Sequence, residues 1–438
     1  MKVYEITIKP VSGFGTPLKG DTIFGHFCWQ VFYDDKLLGK TLDELLAKYP
    51  KNPFAVFSSA YPKFRIGGKD HYALRTPALP MDEIFKLPED KRKRIKERKE
   101  YKAKGWMILR KGEMIIQKDD KISCFQELSQ KLVQEPGQEP ESERFLNDQE
   151  LLKRIKANVP AEIRKLAEKG SAKNFVAPFT QTHNTINRFT GKTGEGRFAP
   201  YAVEQHVFYP ESELALFVGI DETTINIGQV KKGLELIGTF GFGKDASSGL
   251  GKFHVMGEPE AIDLAKMGSS TPNAYYTLSP CVPEPSTFEE MFFNPFIRFG
   301  RHGDVLAKSG QPFKNPVIMA DEGGVLIPKK GVDISEKLYL GKAVTGISKA
   351  QTNAVMQGYA LYIPVKVSDK LLNRVIGKVM GSASDNMSDN DVSGEVQGIA
   401  PGSAPGNASG SMPGKVSGSA PGKVSGNAPG SVPGKVEE

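Results

Sequence analysis

Apolar and polar positions alternate along residues 2–9, KVYEITIK, and this pattern predicts a half-buried strand at the start of the chain. The apolar residues from Ile23 to Val31 recur instead at helical spacing, and Asp21 precedes them as a candidate N-cap. The chain is therefore predicted to open with a strand, a glycine-rich turn and a helix.

The same kinds of element return after residue 200. Residues 203–208 (VEQHVF) and 213–220 (ELALFVGI) have the composition of strands, with the turn YPES between them. Asp221 is placed to cap a helix over TTINIGQVKKGLELIG, and residues 252–256 (KFHVM) predict one more short strand. Without the residues from about 50 to 200, this order is the βαββαβ succession of the ferredoxin-like fold.

These patterns predict an α+β fold made of tandem ferredoxin-like, RRM-like βαββαβ domains. The first domain is predicted to span 1–260, with a large insertion at about 50–200. A second, degenerate ferredoxin-like domain is predicted over 261–368 and ends in the strand-like run MQGYALYIPVKV (356–367). The remainder, 369–438, is mostly Gly, Pro and Ser with few large apolar residues, which predicts a disordered tail. A dispensable repeat expansion accounts for this composition better than a binding function does.

Three stretches of the insertion have distinctive patterns. Residues 86–105, KLPEDKRKRIKERKEYKAKG, predict a strongly basic helix, and either a solvated helix face or an RNA contact accounts for its charge. Residues 124–156 predict two helices around a polar loop. Residues 182–208 predict two extended arms around GKTGEG, a glycine-rich hairpin tip. The cations that flank this tip are Arg188, Lys192 and Arg197.

Charge and cysteine usage narrow the class of protein. The 438 residues include 58 Lys or Arg and 51 Asp or Glu, and because 369–438 has a net charge of −1, residues 1–368 carry about +8. This excess favours a polyanionic partner. Three widely spaced cysteines give no disulfide framework and no CxxC metal pair, so a cytoplasmic protein is expected. The first residues have a strand pattern rather than that of a signal peptide, and no apolar run approaches the roughly 20 residues of a membrane span.

A glycine-rich stretch, GTFGFGKDASSGLGKFHV (238–255), places five glycines within fourteen residues. Its string Gly241-x-Gly243-x-x-Ala246 matches the dinucleotide-binding fingerprint, but that fingerprint must follow a strand and open a helix. Here a predicted helix precedes the glycines and a predicted strand follows them. A P-loop is excluded as well, because Phe253 stands where that motif requires Ser or Thr.

The residue types in this stretch suit close approach by a partner. Glycines carry no side chain, and consecutive backbone N–H groups can form an anion-binding concavity. Lys244 adds a positive charge, and Ser247 and Ser248 add hydrogen-bond donors. Two interpretations stay open: the loop binds a phosphodiester backbone, or it is a tight connection that packs against the sheet.

Several segments, in the right order, resemble one family. GTFGFGKDASSGLGKF resembles the glycine-rich loop of the RAMP superfamily, the ferredoxin-like RNA-binding proteins of CRISPR systems, in the version found in the Csm subunit-four family. LKGDTIFGHFCW (18–29) resembles that family's first-helix motif, and RTPALPMD (75–82) its proline-rich segment. THNTINRFTG resembles its central thumb region, and GYALYIPVKV its C-terminal strand. The resemblance covers about residues 1–368, and the charged insertion near 86–170 departs from the family pattern.

The resemblance implies a non-catalytic subunit of a type III-A CRISPR effector complex, with no cofactor and no metal. Such subunits hold the 5′ repeat-derived tag of the guide RNA (crRNA) and kink the guide at the tag boundary with a thumb hairpin. They also bridge the large polymerase-like subunit to the backbone RAMP subunit. On this chain, the implied RNA contacts are Gly241, Gly243, Lys244, Ser247, Ser248, Gly249, Gly251 and Lys252 in the loop, and His183, Arg188, Lys192 and Arg197 on the thumb.

The alternative function is a metal-independent crRNA-processing ribonuclease of the same fold, which would need a general acid or base near the loop. His26 lies in the apolar string IFGHFCW and is interpreted as a structural residue, whereas His183 and His254 are interpreted as RNA contacts or surface residues. A third hypothesis is a scaffold that docks partners and uses the loop only structurally. Asp245 would repel phosphates unless it pairs with Lys244 or faces a protein partner.

Overall fold

The computed structural model describes residues 1–112, 144–170, 174–194 and 196–375. Contacts divide the chain into a compact unit, Met1–Ala383, and a second unit, Ser384–Glu438, which lies outside the described residues. Most of the predicted tail and the first of the two helices predicted over 124–156 also lie outside them.

The strands of the described residues are numbered in chain order: β1 Lys2–Pro10, β2 Ala55–Ile66, β3 Lys69–Arg75, β4 Trp106–Arg110, β5 Phe145–Leu146, β6 Val176–His183, β7 Tyr201–Phe208, β8 Glu213–Ile220, β9 Phe253–Ala261, β10 Ala274–Thr277, β11 Phe288–Phe292, β12 Pro295–Arg298, β13 Val317–Ala320, β14 Val325–Pro328, β15 Tyr339–Gly341 and β16 Tyr359–Val365. The α-helices are α1 Gly20–Tyr33, α2 Leu42–Lys48, α3 Met81–Ile84, α4 Lys91–Lys102, α5 Asp148–Ala157, α6 Ala161–Lys169 and α7 Ile227–Phe240. The fold is therefore of the α+β class, as the sequence predicts.

The largest sheet has seven antiparallel strands in the order β5-β4-β3-β2-β8-β1-β9. Its central strand is β2, and next to it β8 pairs with β1, where Lys2 lies opposite Ile220 and Ile8 opposite Leu214. Helices α1 and α7 contact this sheet and each other. At their contact, a Cβ on Gly233 of α7 would lie only 2.4 Å from Cε2 of Phe27 in α1, so glycine makes room for the ring. The elements β1, α1, β2, β8, α7 and β9 follow one another in a βαββαβ succession.

The second strand of this succession is not the one that the sequence predicts. It is β2, which lies inside the predicted insertion, so the interruption falls between β2 and β8. The predicted strand at 203–208 exists, but as part of β7 it pairs with β6 in a separate hairpin. Alternating polarity identifies a half-buried strand and does not specify its partner, because the pairing depends on distant residues.

Both predicted helix caps are wrong. Helix α1 has Lys19 at its N-cap, and Asp21 lies buried in the first turn, where both carboxylate oxygens accept hydrogen bonds from Arg298 at 2.7 and 2.9 Å. Burial raises the pKa of Asp21, and the Arg298 charge opposes that rise. Helix α7 begins only after Asn226, whose side chain accepts from the Gln229 amide, while Asp221 closes a turn upstream.

The second half of the compact unit is built on a five-stranded sheet in the order β11-β14-β10-β16-β15, beside the hairpin β12–β13. Between Ala274 and Val365, all within the described part of the chain, the segments between strands contain a 3-10 turn but no α-helix. The predicted second βαββαβ domain is therefore not confirmed. The sequence identified the last strand of this region, whereas the other strands lie mostly in turn-rich sequence.

One hydrophobic core extends across the predicted domain boundary at residue 260. The fully buried Gln357 accepts a hydrogen bond from the Phe57 amide at 2.9 Å and donates one to the Phe57 carbonyl at 2.8 Å. Residues 369–375 are helical, and Leu371 and Val375 are buried in the same core. The folded part therefore continues past residue 368.

Candidate nucleic-acid interface

The residues from Gly241 to Lys252, called the glycine loop here, connect the end of α7 to the start of β9. Four glycines of the loop have positive φ: Gly241 at 106°, Gly243 at 77°, Gly249 at 96° and Gly251 at 74°. Asp245 is also left-handed, with φ of 60°. Positive φ is costly for residues with a Cβ, so the spacing of glycines in the sequence reflects the path of the backbone.

The glycines differ in what surrounds them. A Cβ on Gly251 would lie 2.1 Å from the Phe242 carbonyl oxygen, one on Gly241 would lie 2.5 Å from the Leu250 oxygen, and one on Gly243 would lie 2.4 Å from Thr16 Cβ. A Cβ on Gly249 would meet nothing within 4 Å. The loop thus has a packed inner side and an open outer side that includes Gly249. The packed inner side is what a tight connection requires, and the open outer side leaves room for a partner.

A five-residue segment, Ser12–Thr16, holds the inner side and is called the brace. Ser12 Oγ accepts a hydrogen bond from the Lys252 amide at 2.8 Å, and Thr16 Oγ1 accepts one from the Lys244 amide at 2.9 Å. The Gly13 carbonyl accepts from the Gly251 amide at 2.7 Å. The sequence analysis missed the brace, because VSGFGT is typical of any turn and its partners are more than 200 residues away.

His26 of α1 also holds the inner side. Its Nε2 accepts a hydrogen bond from the Gly243 amide at 3.0 Å, and its ring lies 4.7 Å from that of Phe242. Burial lowers the pKa of His26 to about 4, and the positive charge of Lys314 acts in the same direction. The imidazole is therefore neutral at physiological pH, and its acceptor nitrogen is already engaged. These contacts agree with the structural role expected from the sequence.

The outer side carries unused hydrogen-bond donors. Within the described residues, the amides of Asp245, Ala246 and Ser247 donate no hydrogen bond, whereas Ser248 Oγ donates to the Asp245 carbonyl at 2.9 Å. Ser247 and the Lys244 side chain are exposed. Lys244 Nζ lies 3.8 Å from Asp245 Oδ2, so the carboxylate has the cationic neighbour that the sequence analysis required. Three free amides in a row beside an ammonium group favour an anion.

The second predicted contact region is a hairpin. Strands β6 and β7 pair antiparallel from Val176 opposite Phe208 to His183 opposite Tyr201, and with the connection 184–200 they form the thumb. The His183 ring stacks on that of Tyr201, with 5.5 Å between centroids. The sequence correctly predicts the second arm, but the first arm, β6, ends at His183, so most of the predicted first arm lies in the connection. Of the predicted contacts in the connection, Arg188 and Lys192 are exposed, and the Arg197 backbone lies in the 3-10 turn Gly196–Phe198.

A fully exposed aromatic side chain stands on the thumb and was missed by the sequence analysis. Phe189 is exposed over its whole surface, between Arg188 and Lys192. Its backbone is fixed, because Asn187 Oδ1 accepts from the Phe189 amide at 2.9 Å and the Asn187 carbonyl accepts from the Gly191 amide at 2.8 Å. The signal in the sequence was an aromatic residue between two cations, whereas the sequence analysis considered only the cations.

The glycine loop and the thumb meet at Phe14 of the brace. Phe14 and His206 of β7 exchange backbone hydrogen bonds of 2.8 Å. The buried Phe14 ring lies 5.5 Å from the Phe208 ring at the base of the thumb and 6.5 Å from Phe242 in the loop. The structure therefore joins the glycine loop and the base of the thumb through one short segment.

No group of three or more His, Cys, Asp and Glu side chains is arranged to hold a metal ion in the described ranges. His254 is exposed on β9. Cys28 and Cys281 are buried free thiols, and Cys124 lies outside the described residues. Of the helices that the structure describes, none has the length and apolar character needed to cross a membrane.

No protein-family model and no curated protein matches this sequence. Solved structures are similar to it at low identity. A chain of the Csm1–Csm4 cassette in complex with pppApA is 14% identical, with a TM-score of 0.43, 84% of this chain covered and 99% of that one. A chain of the Csm3–Csm4 subcomplex of a type III-A CRISPR-Cas interference complex is 13% identical, with a TM-score of 0.43 and coverages of 83% and 99%.

A chain of the type III-B Cmr-beta complex bound to cognate target RNA and AMPPnP is also similar, at 13% identity and a TM-score of 0.33, covering 74% of this chain and 86% of that one. Because the TM-scores lie below 0.5, we argue the function from this chain's own residues.

Proposed function

We propose that this chain is a non-catalytic, crRNA-binding RAMP subunit of a type III-A CRISPR–Cas (Csm) effector complex. In that complex it holds the 5′ repeat-derived tag of the crRNA and bridges the large polymerase-like subunit to the backbone RAMP subunit, in antiviral defence. The observation that carries the proposal is the two-sided glycine loop. Its inner side is fixed by the brace and His26, and its outer side presents free amides and the Lys244 ammonium group.

The outer side suits a phosphate of single-stranded RNA. The amides of Asp245, Ala246 and Ser247 are neutral donors that a phosphate oxygen can accept from, and Lys244 supplies the charge. Gly249 leaves open space beside them, so a strand can approach the backbone. Because the brace holds the loop before RNA arrives, little ordering entropy is lost on binding.

The thumb suits an unstacked base next to the bound tag. Phe189 presents an exposed ring on which a base can stack, and Arg188 and Lys192 stand on either side of it for the neighbouring phosphates. A ring inserted at the end of a stack of bases turns the strand, which would produce the kink at the tag boundary that the family resemblance implies.

The alternative function, crRNA cleavage, has weaker support. A general base near the loop would most naturally be His26, but its Nε2 already accepts from the Gly243 amide. With a pKa near 4, His26 is also a weak base, and at neutral pH it is not in the imidazolium form that acts as a general acid. His183 is engaged in stacking on Tyr201. The arrangement therefore favours binding without cleavage.

The test is the affinity of the purified chain for labelled 5′-tag RNA, with and without the large subunit, for wild type and Lys244→Ala. The substitution is expected to weaken binding several-fold and to reduce the slope of log affinity against log salt by about 0.7, the value for one phosphate contact on a single strand. Lys266→Ala is the matched control, because Lys266 is also exposed and lies 3.6 Å from a nearby carboxylate, Asp263. The control is expected to bind like wild type.

Two results would contradict the proposal. Metal-independent cleavage of the RNA at one fixed position would place the chain among the processing ribonucleases. Tag affinity that is unchanged in Lys244→Ala and insensitive to salt would leave only the docking scaffold, with the loop in a structural role.

A further inference from the structure

Helix α4 carries a face of unpaired cations that the proposed function does not use. All but Glu97 and Tyr101 of its twelve residues are exposed, and those two are half-buried. The Tyr101 ring stacks on Phe85 with 4.1 Å between centroids and 3° between planes, and Asp90 caps the helix through the Lys93 amide at 2.8 Å. The helix is thus attached along one side and free on the other.

The free side is almost entirely basic. Successive residues of an α-helix are rotated by about 100° around its axis. On the side away from Tyr101, a continuous arc of about 140° therefore contains five cations and Ile95, and it contains neither of the two glutamates of the helix. We call it the cationic face: Lys91, Arg92, Lys96, Lys99 and Lys102. At a rise of about 1.5 Å per residue, this face is roughly 16 Å long.

These five cations have no anionic partner among the residues that the structure describes. None of the ion pairs in the described residues involves any of them. Two pairs of like charges lie close along the helix: Arg92 and Lys96 are four residues apart, and Lys96 and Lys99 are three residues apart. Such spacing destabilises a helix in isolation. A surface that concentrates repulsive charge on a well-attached helix is complementary to a polyanion.

We propose that the cationic face binds the phosphate backbone of a nucleic acid strand without regard to sequence. Four of the five side chains are lysines, which act as point charges. The face carries no Asn, Gln or aromatic side chain that would read or stack on a base. The contact is therefore electrostatic and follows the backbone of the strand.

The position of α4 favours nucleic acid over an acidic protein. Lys19 and Lys102 line one cavity of about 400 Å³, where Asp321 and Glu322 both pair with Lys19. Lys19 follows Thr16, at the end of the brace, by three residues, which span at most about 11 Å. A strand that leaves the glycine loop can thus continue toward α4, and in this respect the inference rests on the proposed function.

The experiment compares two full-length variants that lose the same charge. The first replaces all five cations of the cationic face by Gln, which retains helix propensity. The control replaces five exposed lysines elsewhere: Lys36, Lys40, Lys48, Lys51 and Lys330. Affinity for a 20-nucleotide oligouridylate and for a 20-base-pair duplex DNA is measured over a series of salt concentrations, so that the two arms distinguish single-stranded RNA from duplex DNA.

The cationic-face variant is expected to bind at least tenfold more weakly at low salt than the control variant. Its slope of log affinity against log salt should fall by up to about 3.5 on the single strand, or about 4.5 on the duplex, for five lost contacts. Wild-type protein gives a second measurement that needs no variant. Bound nucleic acid should protect Lys96 and Lys99 from acetylation and leave Lys48 and Lys51 reactive.

Equal affinity and equal salt slope in the two variants, with no protection of Lys96 and Lys99, would show that α4 is only a solvated face. Polyglutamate that competes as well as RNA of the same charge would overturn the assignment to nucleic acid and indicate an acidic protein. The Lys244→Ala variant is measured in parallel. If its tag affinity is unchanged while the cationic-face variant loses binding, the proposed tag function fails and this inference stands.

Discussion

At the scale of single residues, Gly249 and Gly251 show two different requirements for glycine, a left-handed backbone and a lack of space for a side chain, which cannot be told apart in the sequence. Both have positive φ, but only Gly251 is surrounded by backbone atoms. Gly249→Ala is expected to cost about 1 kcal/mol of stability from left-handed strain. Gly251→Ala adds a clash with the Phe242 carbonyl and is expected to cost at least about 3 kcal/mol.

Urea unfolding of the two alanine variants beside wild type measures this difference. Equal losses of stability in Gly249→Ala and Gly251→Ala would contradict the distinction between the open and packed sides of the glycine loop.

The low pKa of His26 predicts a stability that falls with acid. Its folded-state pKa of about 4 lies below the unfolded value near 6.5, so the unfolded chain binds more protons between these values. The contribution of His26 is complete above pH 6.5 and declines as the pH falls toward 4. Between pH 7 and pH 5 the wild-type protein should lose about 2 kcal/mol through this residue.

Urea unfolding of wild type and His26→Gln at pH 7 and pH 5 tests this, because Gln can accept the Gly243 hydrogen bond and does not titrate. The loss of stability between the two pH values should be smaller in the variant. A pH dependence that is the same in both proteins would contradict the assignment of a neutral, buried imidazole.

The sequence identified the glycine loop and its charges, because glycine spacing reflects a local backbone requirement. It could not say that Gly251 is packed while Gly249 is open, since the atoms that surround them belong to other segments. Thr16 and Ser12 were missed for the same reason: their hydrogen bonds to the loop join residues 228 and 240 positions apart.

At the scale of elements, the thumb predicts a separation between stability and binding. Because Phe189 is fully exposed, Phe189→Ser should change the free energy of unfolding by less than about 0.5 kcal/mol. If a base stacks on the ring, tag RNA that extends into the guide should lose about 1–3 kcal/mol of binding free energy. The measurement is a pair of titrations, one with the tag alone and one with the tag plus the first guide nucleotides.

Phe299→Ser is the matched control, since Phe299 is likewise exposed and lies outside the thumb. An equal loss of affinity in both variants, or a loss that is the same with and without guide nucleotides, would argue against stacking at the tag boundary.

Strands and helices with a clear period were predictable because the period arises from which face is buried. Residues 2–9 were predicted on this ground and are present as β1. Residues 213–220 and the basic helix were predicted from composition and are present as β8 and α4. The partner of a strand has no such local signal. The strand at 203–208 was therefore assigned to the wrong sheet in the prediction. Strand β2 was not predicted, because it contains Pro62 and proline is rare inside strands.

At the scale of the whole molecule, the shared core predicts that residues 1–375 unfold together. Gln357 satisfies both the amide and the carbonyl of Phe57 across the two halves. Gln357→Leu leaves these buried groups without partners and should cost about 3 kcal/mol. Thermal unfolding followed by far-UV circular dichroism and by tryptophan fluorescence should show one coincident transition in wild type.

Gln351→Leu serves as the control, because Gln351 is exposed six residues earlier, and it should remain within about 0.5 kcal/mol of wild type. Two separate transitions in wild type would show that the halves fold independently, as the predicted boundary at residue 260 implies.

The second half was the least predictable part of the chain. Its strands are mostly short, β15 has three residues, and several form only with partners more than 30 positions away, such as Tyr275 opposite Leu326. Short strands carry too few alternations to be distinguished from turns. The five-stranded sheet depends on tertiary contacts that no local pattern records.

Phe14 fixes the glycine loop relative to the base of the thumb. Its ring touches the loop on one side and the base of the thumb on the other, and its backbone is bonded to His206. The base of the thumb is thus held to the glycine loop by hydrogen bonds and ring contacts at one segment rather than by a flexible linker. If RNA binds at the glycine loop and bends at the thumb, a constant number of nucleotides would lie between the two sites. An insertion of one residue in the brace would change that number.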